Sequence, residues 1–79
     1  MFATVRAVNG WFRSANKSDL DRMLSEIILS ERQRKVLEMF YVRKLDIGFI
    51  ADTLCVSKTV VNVELREIRR KICASIRQQ

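Results

Sequence analysis

Thr59, Val63 and Arg66 follow one another at intervals of four and three residues, so a helix through them would carry the three on one face, with Asn62 beside it. The chemistry such a set offers is reading base edges in a DNA major groove. Asparagine can pair bidentately with adenine and arginine with guanine, and a valine methyl can touch the methyl of thymine. Lys58, Arg69 and Arg70 add charge suited to phosphates. Ser57 is placed to cap such a helix, and its first-turn N–H groups offer a further anion site.

Those side chains need a helix beginning at Lys58 and a firm mount for it. Projection at about 100° per residue puts Val61, Leu65, Ile68 and Ile72 on one side, with Ile76 continuing the line. Thr59, Val63, Arg66 and Arg70 then face outward, flanked by Lys58, Asn62 and Arg69. Upstream, Asp46 is expected to cap a shorter helix whose Ile47, Ile50, Ala51 and Leu54 face inward. Cys55 and Val56 form the turn, with Val56 plugging it and Cys55 filling a small pocket. Two helices that cross steeply need a small residue at closest approach, and Ala51 occupies that place.

The preceding elements brace this pair. Ser30 and Gln33 have the spacing of a capping box, ahead of an apolar stripe of Val36, Leu37, Phe40 and Tyr41. Residues 18–28 read as a helix capped by Ser18, with Asp19 and Asp21 in the first turn and Leu20, Met23, Leu24, Ile27 and Ile28 on the buried face. Phe2, Val5, Val8, Trp11 and Phe12 recur at roughly helical spacing, interrupted by Asn9-Gly10. Trp11 and Phe12 read as core or docking anchors. The expected fold is all-α, a small helix-turn-helix domain of four to five helices. Residues 1–17 read as an arm or short helix available for dimer or partner contact, and residues 18–79 as the helix-turn-helix domain.

Composition agrees with that class. The chain has 79 residues, 48% hydrophobic, with two glycines and no proline, which suits one small helical domain. The net charge is +6, a balance that favours a polyanionic partner. Residues 18–31 run the other way, with Asp19, Asp21, Glu26 and Glu31 against Arg22. The positive charge therefore gathers on residues 1–17 and from residue 32 onward. Glu38, Asp52, Glu64 and Glu67 are expected to be surface ion-pair partners of nearby basic residues.

Two cysteines make no disulfide framework. They are expected as reduced thiols, with Cys73 projecting off the main core face. There is no histidine, hence no His–Cys zinc site and no histidine base. No glycine-rich phosphate loop or nucleophile elbow occurs, so neither a cofactor nor an enzyme is expected. No stretch is apolar enough for a signal peptide or a membrane span. The expected location is cytoplasmic, with the nucleoid, and no membrane partner.

The motif residues resemble two related families. Region four of bacterial sigma factors has a similar opening, here Leu29-Ser30-Glu31-Arg32-Gln33-Arg34-Lys35-Val36-Leu37, and a similar close, here Ile68-Arg69-Arg70-Lys71-Ile72. The LuxR/NarL-type response-regulator output domain resembles it in the opening and in the Ser57-Lys58-Thr59-Val60 start of the last helix. The resemblance covers residues 29–72 and does not separate the two families. Both bind double-stranded DNA through the last helix. By position, sigma-like base contacts would fall on Lys58, Thr59 and Val63, and LuxR-like ones on Asn62, Val63 and Arg66. Val60 and Val63 are apolar where both families more often carry polar or basic residues.

The resemblance implies a free-standing regulator of transcription, of bacterial or phage type. Its rival is a protein-interaction module docking on RNA polymerase or on a sigma factor, since region four also grips the polymerase. A homodimer through a terminal segment, the N-terminal aromatic one in preference, would supply the second reading helix that a single motif lacks.

Overall fold

The computed structural model describes the backbone of residues 2–77 and the side chains of residues 5–76. The described chain is all-α, without a strand. Helix α1 spans Phe2–Ser14, α2 Lys17–Glu26 and α3 Glu31–Leu37, the last running on into a π-helical turn at Glu38–Val42. Helix α4 spans Ile47–Leu54 and α5 Lys58–Arg77. No described helix is long and apolar enough to cross a membrane. The chain forms two compact units. One is Leu29–Ile68; the other joins the residues up to Ile28 with those from Arg69 onward.

The Leu29–Ile68 unit begins as the sequence predicts. Ser30 Oγ accepts the Gln33 N–H at 3.1 Å, and Gln33 Oε1 accepts the Ser30 N–H at 3.2 Å. This reciprocal pair satisfies two donors that α3 would leave orphaned. Val36 and Leu37 are buried as expected, but the next buried residue is Met39, while Phe40 and Tyr41 are half-buried. The π turn is the cause. Its Arg43 N–H reaches back to Glu38 O at 2.9 Å, a wider loop than an α-helix makes, which shifts each later side chain around the axis. Phe40 and Tyr41 instead pack edge-to-face on each other, ring centres 5.0 Å apart.

Asp46 caps α4 by accepting the Phe49 N–H at 3.2 Å. Ile50 and Ala51 are buried, and Ile47 and Leu54 are half-buried. Helix α4 ends in a left-handed residue, Cys55, with φ 58°. The Cys55 N–H bonds Asp52 O at 3.2 Å and the Val56 N–H bonds Ala51 O at 3.0 Å. These are the two bonds of a Schellman motif, whose left-handed position usually holds glycine. The positive φ turns the Cys55 side chain into solvent, so it fills no pocket, contrary to the expectation from sequence. A side chain in this conformation crowds its own backbone by about 1–2 kcal/mol, and glycine gives back part of that in lost chain entropy. Cys55→Gly is therefore expected to raise stability, by up to about 1 kcal/mol. A lower melting temperature in a thermal scan of the variant would show that the turn is not held in this form.

Ser57 then caps α5, its Oγ accepting the Val60 N–H at 3.2 Å. Val61, Leu65 and Ile68 are fully buried, as projection predicts. Glu64 holds α3 to α5. Arg32 Nε donates to its Oε2 at 3.0 Å and Gln33 Nε2 to its Oε1 at 3.5 Å. Glu64, its side chain 13% exposed, is thus a largely covered bridge between helices rather than an ordinary surface partner.

In the other unit α1 runs unbroken through Asn9-Gly10. A side chain at Gly10 would meet nothing within 4 Å, so the glycine weakens the helix only by its own freedom. Val8 is fully buried. Trp11 and Phe12 are half-buried, packed edge-to-face at 5.0 Å. The Phe2 side chain, grouped with them by sequence spacing, lies outside the described residues.

The cap of α2 is Asn16, not Ser18. Asn16 Oδ1 accepts the Asp19 N–H at 2.8 Å and Asp19 Oδ2 accepts the Asn16 N–H at 3.1 Å. The Asn16–Asp19 pair satisfies two donors together, so the helix starts earlier. It also stops earlier, at Glu26, because Ile27 is extended. Ile28 is consequently off the helix and 88% exposed instead of in the core. Lys71 Nζ donates to the Ile28 carbonyl at 2.7 Å, and Ser75 Oγ to Glu26 Oε2 at 3.2 Å. Met23 and Ile72 are fully buried. Cys73 is buried too, where projection placed it off the core face. The buried sector of α5 in this unit, Ile72, Cys73 and Ser75, is wider than the single stripe expected from the period.

Candidate nucleic-acid interface

The caps and the turn fix where α5 begins, and its buried side fixes how it is rotated. With Val61, Leu65 and Ile68 inward, Thr59, Asn62, Val63 and Arg66 are all exposed. They form two neighbouring rows, Thr59–Val63 and Asn62–Arg66, each with the i, i+4 spacing of one helix face. Among the described residues, Asn62 and Arg66 take no hydrogen bond or ion pair from the rest of the chain, so their planar groups are available. Val63 is 45% exposed and Val60 half-buried. Two of the three consecutive positions after Thr59 are thus turned partly or wholly into the protein.

Lys58 belongs to this surface by a route the sequence did not announce. Its stem passes over Gly48 on α4. A Cβ placed at Gly48 would stand 3.4 Å from Lys58 Cε and 3.8 Å from Nζ, and 3.0 Å from Asp46 Oδ1. The bare glycine leaves room both for the capping carboxylate and for the lysine stem, so the ammonium lies beside the first turn of α4. Ser57 is exposed. Its oxygen is engaged as the cap of α5, which leaves its O–H to donate.

Arg69 and Arg70, expected beside these residues as phosphate contacts, lie past Ile68 on the stretch of α5 that belongs to the other unit. Arg69 is half-buried, and both are already engaged with other groups. The group that shares one unit is Ser57, Lys58, Thr59, Asn62, Val63 and Arg66.

Sequence projection missed Phe49. It is 53% exposed on α4, and its backbone carbonyl accepts the Thr53 hydroxyl at 2.9 Å. The signal was present. With Ala51 inward, a residue two positions earlier lies about 200° away around the helix. Val42, 47% exposed in the π turn, had no such signal, because α-helical projection fails there. No cluster of three His, Cys, Asp or Glu that could hold a metal ion occurs among the described residues.

Comparison with models of known protein families, with curated proteins and with solved structures finds no match to this chain.

Proposed function

We propose that this chain is a sequence-specific DNA-binding regulator of transcription that inserts the first turns of α5 into the major groove of double-stranded DNA. The observation that carries the reading is the outward face of α5. It presents two unpaired bidentate side chains, Asn62 and Arg66, beside exposed methyl-bearing ones, on a helix that is rotated by a fully buried opposite side. Such a face matches the donor, acceptor and methyl pattern of base edges. Lys58, held over Gly48, and the Ser57 O–H serve phosphates. The resemblance of residues 29–72 to sigma region four and to LuxR/NarL-type output domains supports the same use.

Exposed Phe49 and Val42 favour a second reading, docking on RNA polymerase or a sigma factor, because large apolar side chains of that exposure suit a protein partner.

A salt titration with random-sequence duplex DNA tests the first. Binding that displaces counterions weakens with salt, log K falling by about 0.9 per phosphate neutralised for each unit of log salt. Lys58→Ala is expected to make that slope shallower by about 0.9, with the helix content unchanged. Absence of binding at low salt, or binding indifferent to salt, removes the DNA reading and leaves protein docking.

A further inference from the structure

The structure treats the three valines at the head of α5 differently. Val61 is fully buried, Val60 is half-buried, and Val63 is 45% exposed. An exposed valine in mid-helix is not what helix stability selects. Its branched Cβ loses rotamer freedom there, and alanine, glutamate, lysine or arginine would each serve better. Its neighbours on the helix surface are mixed: Val60 is half-buried, while Asn62 and Arg66 are exposed and, among the described residues, unpaired. One turn earlier in its own row stands Thr59, also exposed, whose side chain likewise carries a methyl.

In the major groove the only apolar group on any base edge is the C5-methyl of thymine. A single A·T pair presents that methyl together with the N6 and N7 of adenine, the pair of atoms an asparagine amide can grip. Asn62 and Val63 are adjacent residues on the reading face, one carrying the amide and the other the methyls. Resting on the DNA reading above, we infer that the Thr59–Val63 row recognises thymine methyls and that Asn62 and Val63 share one A·T pair. Arg66, one turn beyond Asn62, takes a guanine further along. The ligand class is then a duplex half-site with a thymine facing Val63, and not a GC-only or shape-only site.

The test uses the intact chain and the site it selects from a random duplex pool. Each thymine of that site is replaced in turn by deoxyuridine, which removes the methyl and leaves base pairing unchanged. Loss of one buried methyl is expected to weaken wild-type binding by about fourfold at the thymine facing Val63, the equivalent of ~0.8 kcal/mol. Val63→Ala is expected to lose a similar factor on the thymine site and to be indifferent to deoxyuridine there. Thr59→Ser, which keeps the hydroxyl and removes the methyl, should behave alike at a second thymine. Wild type insensitive to every replacement, or Val63→Ala as sensitive as wild type, overturns methyl recognition while DNA binding stands. A pool from which nothing is enriched overturns the DNA reading itself, and methyl recognition with it.

Discussion

Leu65→Ala is expected to destabilise the protein by about 2–5 kcal/mol, the range for a leucine truncated in a packed core. Leu65 is fully buried at the middle of α5, within the unit whose other fully buried side chains are Val36, Ile50, Val61 and Ile68, with Leu37 at 1%. Removing its three terminal carbons forfeits their transfer energy and leaves a void that the surrounding helices close only in part. Small domains hold about 5–15 kcal/mol in total, and each kcal/mol moves the melting temperature of a chain this size by roughly 4–8 °C. A fall of some 10–40 °C in a circular-dichroism melt is therefore expected. Arg66→Ala, at the next position but exposed and unpaired, should melt within about 0.5 kcal/mol of wild type. The contrast between neighbours fixes the rotation of α5. Similar melts for the two variants would mean that the helix is turned and that Arg66 is not on its outward face.

That rotation is legible in the sequence because it rests on one long period. Val61, Leu65, Ile68 and Ile72 recur over three turns with no competing choice. The caps at Ser30, Asp46 and Ser57 are legible for a different reason: each is a short polar side chain that can accept an N–H of the first helical turn, for Ser30 with Gln33 three residues on, a local chemistry that packing does not alter. Where two caps compete, the sequence misleads. Ser18 is a good cap alone, but Asn16 with Asp19 satisfies two donors at once. That earlier start, together with the extended Ile27, moves Ile28 out of the core.

The remaining differences come from departures from α-helical geometry. No residue type announces a π turn, so the exchange of Phe40 for Met39 in the core cannot be projected. Cys55 in a left-handed position is similarly unannounced, since glycine is the usual signal there. For the candidate site, the Asn62–Arg66 and Thr59–Val63 rows follow from the period alone. The passage of Lys58 over Gly48 does not, because it joins two helices. Nor does the engagement of Arg69 and Arg70 by other groups.

The largest functional effect is expected from Asn62→Ala and Arg66→Ala together. Each side chain, if it grips a base bidentately, is worth about 1–3 kcal/mol of discrimination, or roughly five- to 150-fold in specific affinity at 1.4 kcal/mol per decade. The two stand one turn apart, so their losses need not add, and the double variant reports the combined value. Neither lies on the buried side, so helix content and melting temperature should stay near wild type. Salt dependence separates their roles. Asn62 carries no charge, and its loss should leave the salt slope unchanged while relaxing the choice of base at one position. Arg66 on a guanine should act in the same way at another position. Arg66 on a phosphate would instead weaken all sequences alike and reduce the slope by about 0.9. A double variant that binds the selected site at full strength would remove both side chains from the interface. Val63 stands in the neighbouring row of the same face, so such a result would leave the exposed apolar side chains of Phe49 and Val42 as the candidate contacts.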